Sequence, residues 1–306
     1  MHLYLPVALT SINVLVPVGL GLAVGLLSGL FGVGGGFLMT PLLIMFGIPS
    51  TVAAATDSNQ IVAASTSGTY AHWRVGNVDF KMGLYLLAGG FAGGLIGVEG
   101  IKILRAMGNA DFVIKMTYVL MLGIVGSYMF FESIMSMRKK KVHEAEEQRQ
   151  ESAFGRFLKS LPLQTYFEKS GVTHSVLIPI IFGSFVGILA AVMGVGGGFL
   201  MVPVMVYILR MPMHVVVGTS LFQILFNCIE VTFLQAYTNH TVDFVLAVLL
   251  LIGSTVGAQV GAVFGRKLKA EQLKVILAVI VLVVTVKIVF ELTLSPSLLL
   301  AQSGGH

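Results

Sequence analysis

Long apolar stretches dominate this chain, and polar residues interrupt them only briefly. From Leu3 to Thr56, 54 consecutive residues carry no Asp, Glu, Lys or Arg, well beyond the roughly 20 apolar residues that one transmembrane helix needs. The pattern then repeats itself. A long stretch broken by glycines (about 14–46, and again 174–210) is followed by a polar-flecked helix (51–73; 213–236). A helix with glycine at every fourth position comes next (80–101; 243–265), and then a last apolar helix (112–135; 272–293). These elements predict an all-α, polytopic transmembrane helical protein.

The repetition extends to single residues. Phe31-Gly-Val-Gly-Gly-Gly-Phe-Leu-Met-Thr-Pro41 returns as Met193-Gly-Val-Gly-Gly-Gly-Phe-Leu-Met-Val-Pro203, identical at nine of eleven positions. Val78-Asp79-Phe80 answers Val242-Asp243-Phe244, and Gly89, Gly93 and Gly97 answer Gly253, Gly257 and Gly261. Two homologous repeats are therefore expected. They are residues 1–136 and 173–306, joined by a charged, amphipathic linker at 137–172. Composition agrees with the bilayer. The chain is 56% hydrophobic and 11% charged, with a mean hydropathy of +0.92, whereas a soluble domain carries about 25% charged residues. A soluble enzyme or a nucleic-acid reader is excluded on that ground. One cysteine, Cys228, cannot form an internal disulfide. The apolar run behind Met1-His2-Leu3 is too long for a signal h-region and lacks a basic n-region, so it reads as mature protein.

Orientation follows from the basic residues, which are retained on the cytoplasmic side. The linker holds eight of the nineteen Lys and Arg, opening Arg138-Lys-Lys-Lys141, and interleaves Phe154, Phe157, Leu158 and Leu161 with Arg156 and Lys159 as an interfacial helix does. Lys287 lies within the last helix and is left out; if each glycine-broken stretch crosses once, the repeats are parallel and the other eighteen basic residues divide ten against eight. If each dips in and returns, the repeats are inverted and the division becomes fifteen against three. The second arrangement is favoured, with the linker cytoplasmic, because re-entrant backbone is tolerated where it is buried or lines a cavity.

Three consecutive glycines inside a membrane segment cost a helix about 1 kcal/mol each relative to Ala. What offsets that cost is a break that exposes backbone N–H groups and starts a half-helix whose N-terminal dipole favours an anion. Two such breaks could enclose one anion near the bilayer centre, which makes Gly34, Gly35, Gly36, Phe37, Gly196, Gly197, Gly198 and Phe199 candidate substrate-binding residues. Close helix packing is the alternative use of those glycines. It is the preferred one for the Gly89/93/97 and Gly253/257/261 ladders.

Beyond each break lies a polar cluster: Thr56-Asp57-Ser58-Asn59-Gln60 with Ser65-Thr66-Ser67, and Gly218-Thr219-Ser220 with Gln223 and Asn227. Hydroxyls and amides donate hydrogen bonds to an oxyanion without a fixed charge that would trap it. Ser58, Gln60, Thr219, Ser220 and Gln223 are therefore candidate lining residues, although the same groups also serve as interhelical glue. Asp57, several residues into a predicted helix, is a candidate coupling residue that could carry a proton; the alternative is that it caps its helix. Thr219 stands at the corresponding place in the second half. Glu99, Glu230 and the Lys287/Glu291 pair read as near-interface residues. His72, His174, His214 and His240 are scattered, so neither a metal site nor a cofactor is expected. Neither glycine copy is followed by Gly-Lys-Ser/Thr, which argues against a Walker loop.

The two Gly-Val-Gly-Gly-Gly-Phe-Leu-Met-x-Pro copies, the Ala-Thr-Asp-Ser and Val-Gly-Thr-Ser segments and the two Val-Asp-Phe tripeptides together resemble the TauE/SafE sulfite exporter family, also called the toluene-sulfonate uptake permease family. The resemblance covers both halves and excludes the linker. It implies an inner-membrane secondary transporter, not an enzyme, for small sulfur-containing anions such as sulfite, sulfonate or sulfoacetate. The residues themselves add the expectation of alternating access about a site between the halves, with Asp57 as the candidate for proton coupling. A passive anion channel and a non-transporting membrane scaffold are the competing readings. The expected partners are the anion and the lipid bilayer, with no nucleic acid; oligomeric state, direction of flow and coupling ion are left open by the sequence.

Overall fold

The computed structural model describes residues 2–31, 36–138, 162–265 and 270–294. Ten α-helices make up most of these residues: α1 Leu15–Phe31, α2 Gly36–Met45, α3 Ser50–Arg74, α4 Phe80–Ala106, α5 Ala110–Arg138, α6 Leu177–Met193, α7 Gly198–Pro203, α8 Met213–Leu234, α9 Phe244–Gly265 and α10 Ala270–Leu294. The interfacial helix expected near 154–161 and the loop at 266–269 lie outside the described residues. Among the described residues, three helices are long and apolar enough to cross a membrane: Phe80–Ala106, Ala110–Ser127 and Met213–Asn239. Their outward faces carry exposed Leu95, Ile96, Phe112, Leu120 and Ile124, as a lipid-facing surface requires and a water-facing one would not tolerate.

The all-helical expectation is corrected at two places. Antiparallel hairpins β1 His2–Leu5 with β2 Thr10–Asn13, and β3 Gln164–Phe167 with β4 Val172–Ser175, precede α1 and α6. The second straddles the expected boundary at 172–173 between the polar linker and the second repeat. Its alternation of exposed and half-buried residues ending in buried Phe167, and the left-handed Gly171 (φ +64) in its turn, are strand and turn signals too short to stand out beside the helices.

Helix packing crosses between the halves. The heaviest contacts pair α1 with α9, α4 with α6, α3 with α8 and α5 with α10. In each of the four pairs a helix of one half lies on a helix of the other. Glycines make this approach possible. A Cβ on Gly89 would come within 2.9 Å of Ser184 N, one on Gly93 the same distance from Ile188 N, and one on Gly97 within 2.7 Å of the Ala191 Cβ. On the opposite side, a Cβ on Gly253 or Gly257 would lie 2.9 Å from Leu22 N or 2.8 Å from Leu26 N. Both ladders thus bring backbones together, as their spacing predicts.

One departure from the repeat has a physical origin. The glycine motifs are 162 residues apart, Pro49 and Pro212 before α3 and α8 are 163 apart, and the Val-Asp-Phe tripeptides are 164 apart. The second half therefore carries one extra residue in each interval. Each extra residue is taken up by a π turn, the first at Val204–Ile208 and the second at Gln235–Asn239, where the i→i+5 pattern absorbs one residue more than an α turn.

Candidate functional site

The end-to-end arrangement is fixed by two knots, one at each end of the bundle. The Asp79 backbone N–H donates to Thr219 Oγ1 (3.0 Å) while its carboxylate accepts from Met82 N (3.0 Å) and from Ser170 N (3.1 Å) and Oγ (2.5 Å). Asp243 repeats the pattern at the other end, donating to Thr56 Oγ1 (3.1 Å) and accepting from Val245 N, Leu246 N and Val7 N (each 3.1 Å). Each aspartate thus caps its own helix and holds a hairpin and a long helix around it. The matched bonds make Thr56 and Thr219 equivalent. Thr219 therefore does not occupy the place of Asp57, as the ungapped alignment has it; that place belongs to Ser220, because the π turn after Pro203 shifts the register by one.

Both ends of the second broken stretch lie together. The β4 residue His174 brings its Nε2 within 2.9 Å of Leu209 O, beyond the far end of α7. α6 enters the bundle from there, ends at Gly194 (φ +71), and the chain turns through Gly196 (φ +68) and Gly197 (φ +78) into α7. Three left-handed residues within four explain why this break is built from glycine. The first α7 bonds run from Leu200 N and Met201 N to Gly197 O (3.1 and 2.8 Å), so the Gly198 and Phe199 N–H groups are the orphan donors of a helix start. In the first copy, Gly34 and Gly35 lie outside the described residues, and α2 begins at Gly36.

The two half-helix starts meet inside the protein. Phe37 and Phe199 stack across them with ring centroids 4.7 Å apart and planes 14° from parallel. Beside each start stands an isoleucine from a long helix: a side chain on Gly36 would collide with Ile61, and one on Gly198 with Ile224. Cys228 closes the same small apolar cluster and lies 2.5 Å from where a Cβ on Gly196 would fall. Gly197 instead lies against Val186 of α6.

The polar candidates separate into two groups. Ser58 Oγ donates to Ala54 O and Gly194 O (3.2 Å each), Ser220 Oγ to Val217 O (3.0 Å), and Thr219 is held by Asp79. The Ser58 and Ser220 hydroxyl hydrogens are thus engaged, and Thr219 Oγ1 serves the fold as an acceptor. Gln60 and Gln223 differ: both are buried, and Gln60 Oε1 and both polar atoms of Gln223 have no partner within the protein. Asn227, one turn beyond Gln223, is in the same condition, with both amide atoms unpartnered beside Gly90 of α4, and Glu230 Oε2 follows beside Gly94. On α3, Ser65, Thr69 and His72 also keep unpartnered buried atoms. Unsatisfied polar groups cost about 1–3 kcal/mol each, so their concentration along α3 and α8 needs a reason.

Asp57 is fully buried. Thr40 Oγ1 of α2 donates to its Oδ2 (2.8 Å), Oδ1 has no partner, and a Cβ on Gly36 would lie 3.6 Å from Oδ2. The fully buried Tyr118 of α5 donates its hydroxyl to Met193 O at the end of α6. The Asp57 carboxylate is thus tied to a half-helix and is not capping α3, which leaves the helix-cap reading without support. Thr40 and Tyr118 were not singled out in the sequence. A signal for Thr40 was present: it is one of only two positions at which the motif copies differ, standing where the second has Val202. Tyr118 carried none, being one aromatic in an apolar helix. Among the described residues no group of three or more His, Cys, Asp or Glu is gathered as a metal site.

Long lipid-facing helices around two interrupted ones, with unpaired polar side chains on the helices between, define a multi-pass membrane transport protein. The chain belongs to the sulfite exporter TauE/SafE family, which matches residues 18–288. It is 28% identical over 271 residues to the probable membrane transporter protein YjnA of Bacillus subtilis (strain 168), covering 88% of this chain and 97% of that protein. Over 284 residues it is 24% identical to the probable membrane transporter protein YunE of the same organism, covering 89% and 96%. A shorter stretch of 96 residues is 31% identical to sulfite exporter TauE/SafE family protein 2 of Arabidopsis thaliana, covering 31% of this chain and 21% of that protein. No solved structure matches the chain.

Proposed function

We propose that this protein is a secondary carrier that moves small sulfur-containing anions, sulfite, sulfonate or sulfoacetate, across the bacterial inner membrane. Its halves, 1–136 and 173–306, work as inverted repeats with re-entrant broken helices, and alternating access rocks one against the other. The single observation that carries the reading is the meeting of two half-helix starts at the Phe37–Phe199 stack, each with an isoleucine of a long helix against it, Ile61 or Ile224, whose preceding residue, Gln60 or Gln223, is a buried amide with unpartnered atoms. Orphan N–H groups of Gly36, Phe37, Gly198 and Phe199 and the two amides offer an oxyanion donors without a fixed positive charge. Ile61 and Ile224 stand as a pair of apolar side chains beside the two starts, which the anion passes when either half moves.

Re-entry is supported by the His174 contact with Leu209, which joins the two ends of one broken stretch. It gives the fifteen-to-three division of basic residues, and with it a cytoplasmic linker. Asp57, adjoining the first half-helix start, is the coupling residue. The test is a flux panel of sulfite, a sulfonate and thiosulfate in proteoliposomes, with and without imposed ion gradients. Gradient-driven flux of at least one anion is expected. Flux indifferent to every gradient would make the protein a passive channel. No flux, together with no anion-dependent thermal shift, would leave only the scaffold.

A further inference from the structure

Asp57 faces oxygen atoms. Thr40 donates to its Oδ2, and its chain neighbour Ser58 and the buried Tyr118 donate to the carbonyls of Gly194 and Met193, which sit together at the C-terminal end of α6. These elements come from both halves: α2, α3 and α5 from one, α6 from the other. A carboxylate beside the carbonyl end of a helix meets the negative pole of its dipole. The carboxylate oxygen Oδ1, wholly buried, accepts no hydrogen bond, so its charge is left uncompensated there, and a cation would supply that compensation while drawing on neighbouring oxygens.

We propose that Asp57, Thr40, Tyr118 and the carbonyls of Met193 and Gly194 bind a monovalent cation, sodium, as the coupling ion of the carrier. The ligand set selects the class. Hard oxygens suit an alkali or alkaline-earth ion, and one carboxylate supplies a single negative charge, where divalent ions are usually held by several acidic groups or waters. Broken transport helices offer their C-terminal carbonyl ends to cations in the same manner. Asymmetry points the same way: the second half has Val202 and Ser220 where the first has Thr40 and Asp57, so one such site is built, not two. Its position beside Gly36 sets a bound cation next to the proposed anion site, and opposite charges at close range raise each other's affinity by the same factor.

The inference rests on the reading of Asp57 as the coupling residue, and its test separates the two. Radiolabelled sodium binding and thermal melting of the purified full chain would be measured in sodium, potassium and choline chloride at constant pH and ionic strength. A saturable, sodium-selective rise in melting temperature is expected in wild type, with affinity about tenfold or more weaker in Thr40→Val and binding lost in Asp57→Asn. Thr40→Val serves should Asp57→Asn fail to fold. Equal melting in sodium and choline would overturn the site. In proteoliposomes at zero pH gradient, an inward sodium gradient should change the rate of anion flux. Flux that follows only the pH gradient would replace sodium by a proton while leaving the carrier reading intact. Sodium binding without anion flux under any gradient would keep the cation site and refute the carrier.

Discussion

Gln223→Leu sets stability against function at one residue. Gln223 is wholly buried on α8, and neither Nε2 nor Oε1 has a partner in the protein. Leucine is close to glutamine in size but brings no polar atoms. Removing an unpartnered buried amide recovers about 1–3 kcal/mol of desolvation, so the variant should melt higher than wild type in detergent when no anion is present. A bound anion, however, loses a donor. Hydrogen bonds to charged groups contribute about 1.5–3 kcal/mol, so anion affinity should fall by roughly tenfold to 150-fold. Melting curves with and without sulfite, and flux from proteoliposomes, read both quantities. Gln60→Leu should act in the same direction with a smaller gain in stability, since of its two polar atoms only Oε1 is both fully buried and unpartnered. A Gln223→Leu protein that melts lower than wild type would show that the amide is engaged in the fold. One that melts higher and transports normally would show that the anion never meets it. Either result refutes the proposed lining.

Three further outcomes are expected. Gly93→Ala places a methyl against the Ser184 carbonyl, and overpacking of about 1–3 kcal/mol should lower the melting temperature without changing anion affinity. Thr219→Val removes the acceptor of the buried Asp79 N–H and should cost about 1–3 kcal/mol, again with anion affinity unchanged, which separates it from Gln223. In a Cys228→Ser background, cysteines replacing Glu168 and Arg210 should be labelled from one side of sealed vesicles and a cysteine replacing Asn109 from the other; labelling of Glu168 and Arg210 positions from opposite sides would end the re-entrant arrangement.

The elements of this fold were legible because each depends on a local signal. Apolar length gave the long helices, and triple glycine gave the breaks. The four-residue glycine spacing gave the packing faces of α4 and α9, although not which helices would meet them. That is a long-range fact, and the exchange of partners between halves has no trace in local sequence. The hairpins were lost because four-residue strands beside long apolar helices leave little pattern to read. Among polar residues, sequence could name candidates but not assign their hydrogen bonds. Ser58, Thr219 and Gln223 looked alike, yet the first two are bonded to partners 136 and 140 residues away and the third to none. The ungapped equivalence of Asp57 with Thr219 failed for a related reason: a one-residue insertion is invisible until a π turn reveals where it is absorbed.

Duplication and divergence divide the work of the site. Pro49 and Pro212, Thr56 and Thr219, Gln60 and Gln223, and Ile61 and Ile224 are all kept at the same separation of 163 residues. The knots that hold the bundle ends, the amides and the isoleucines beside the half-helix starts are thus shared by both halves. A carrier needs this, because two halves that exchange conformations must present an equivalent anion site whichever side is open. Coupling has the opposite requirement. An ion that charges both halves alike would bias neither state, and a ligand with equal affinity for two states shifts nothing however tightly it binds. The departures from symmetry fall where that bias is needed: Thr40 against Val202 and Asp57 against Ser220, joined by a 2.8 Å hydrogen bond at the first half-helix. The conserved pairs accordingly belong to anion passage and the divergent pair to its coupling, so variants of the first kind should change which anions move, and variants of the second should change what drives them.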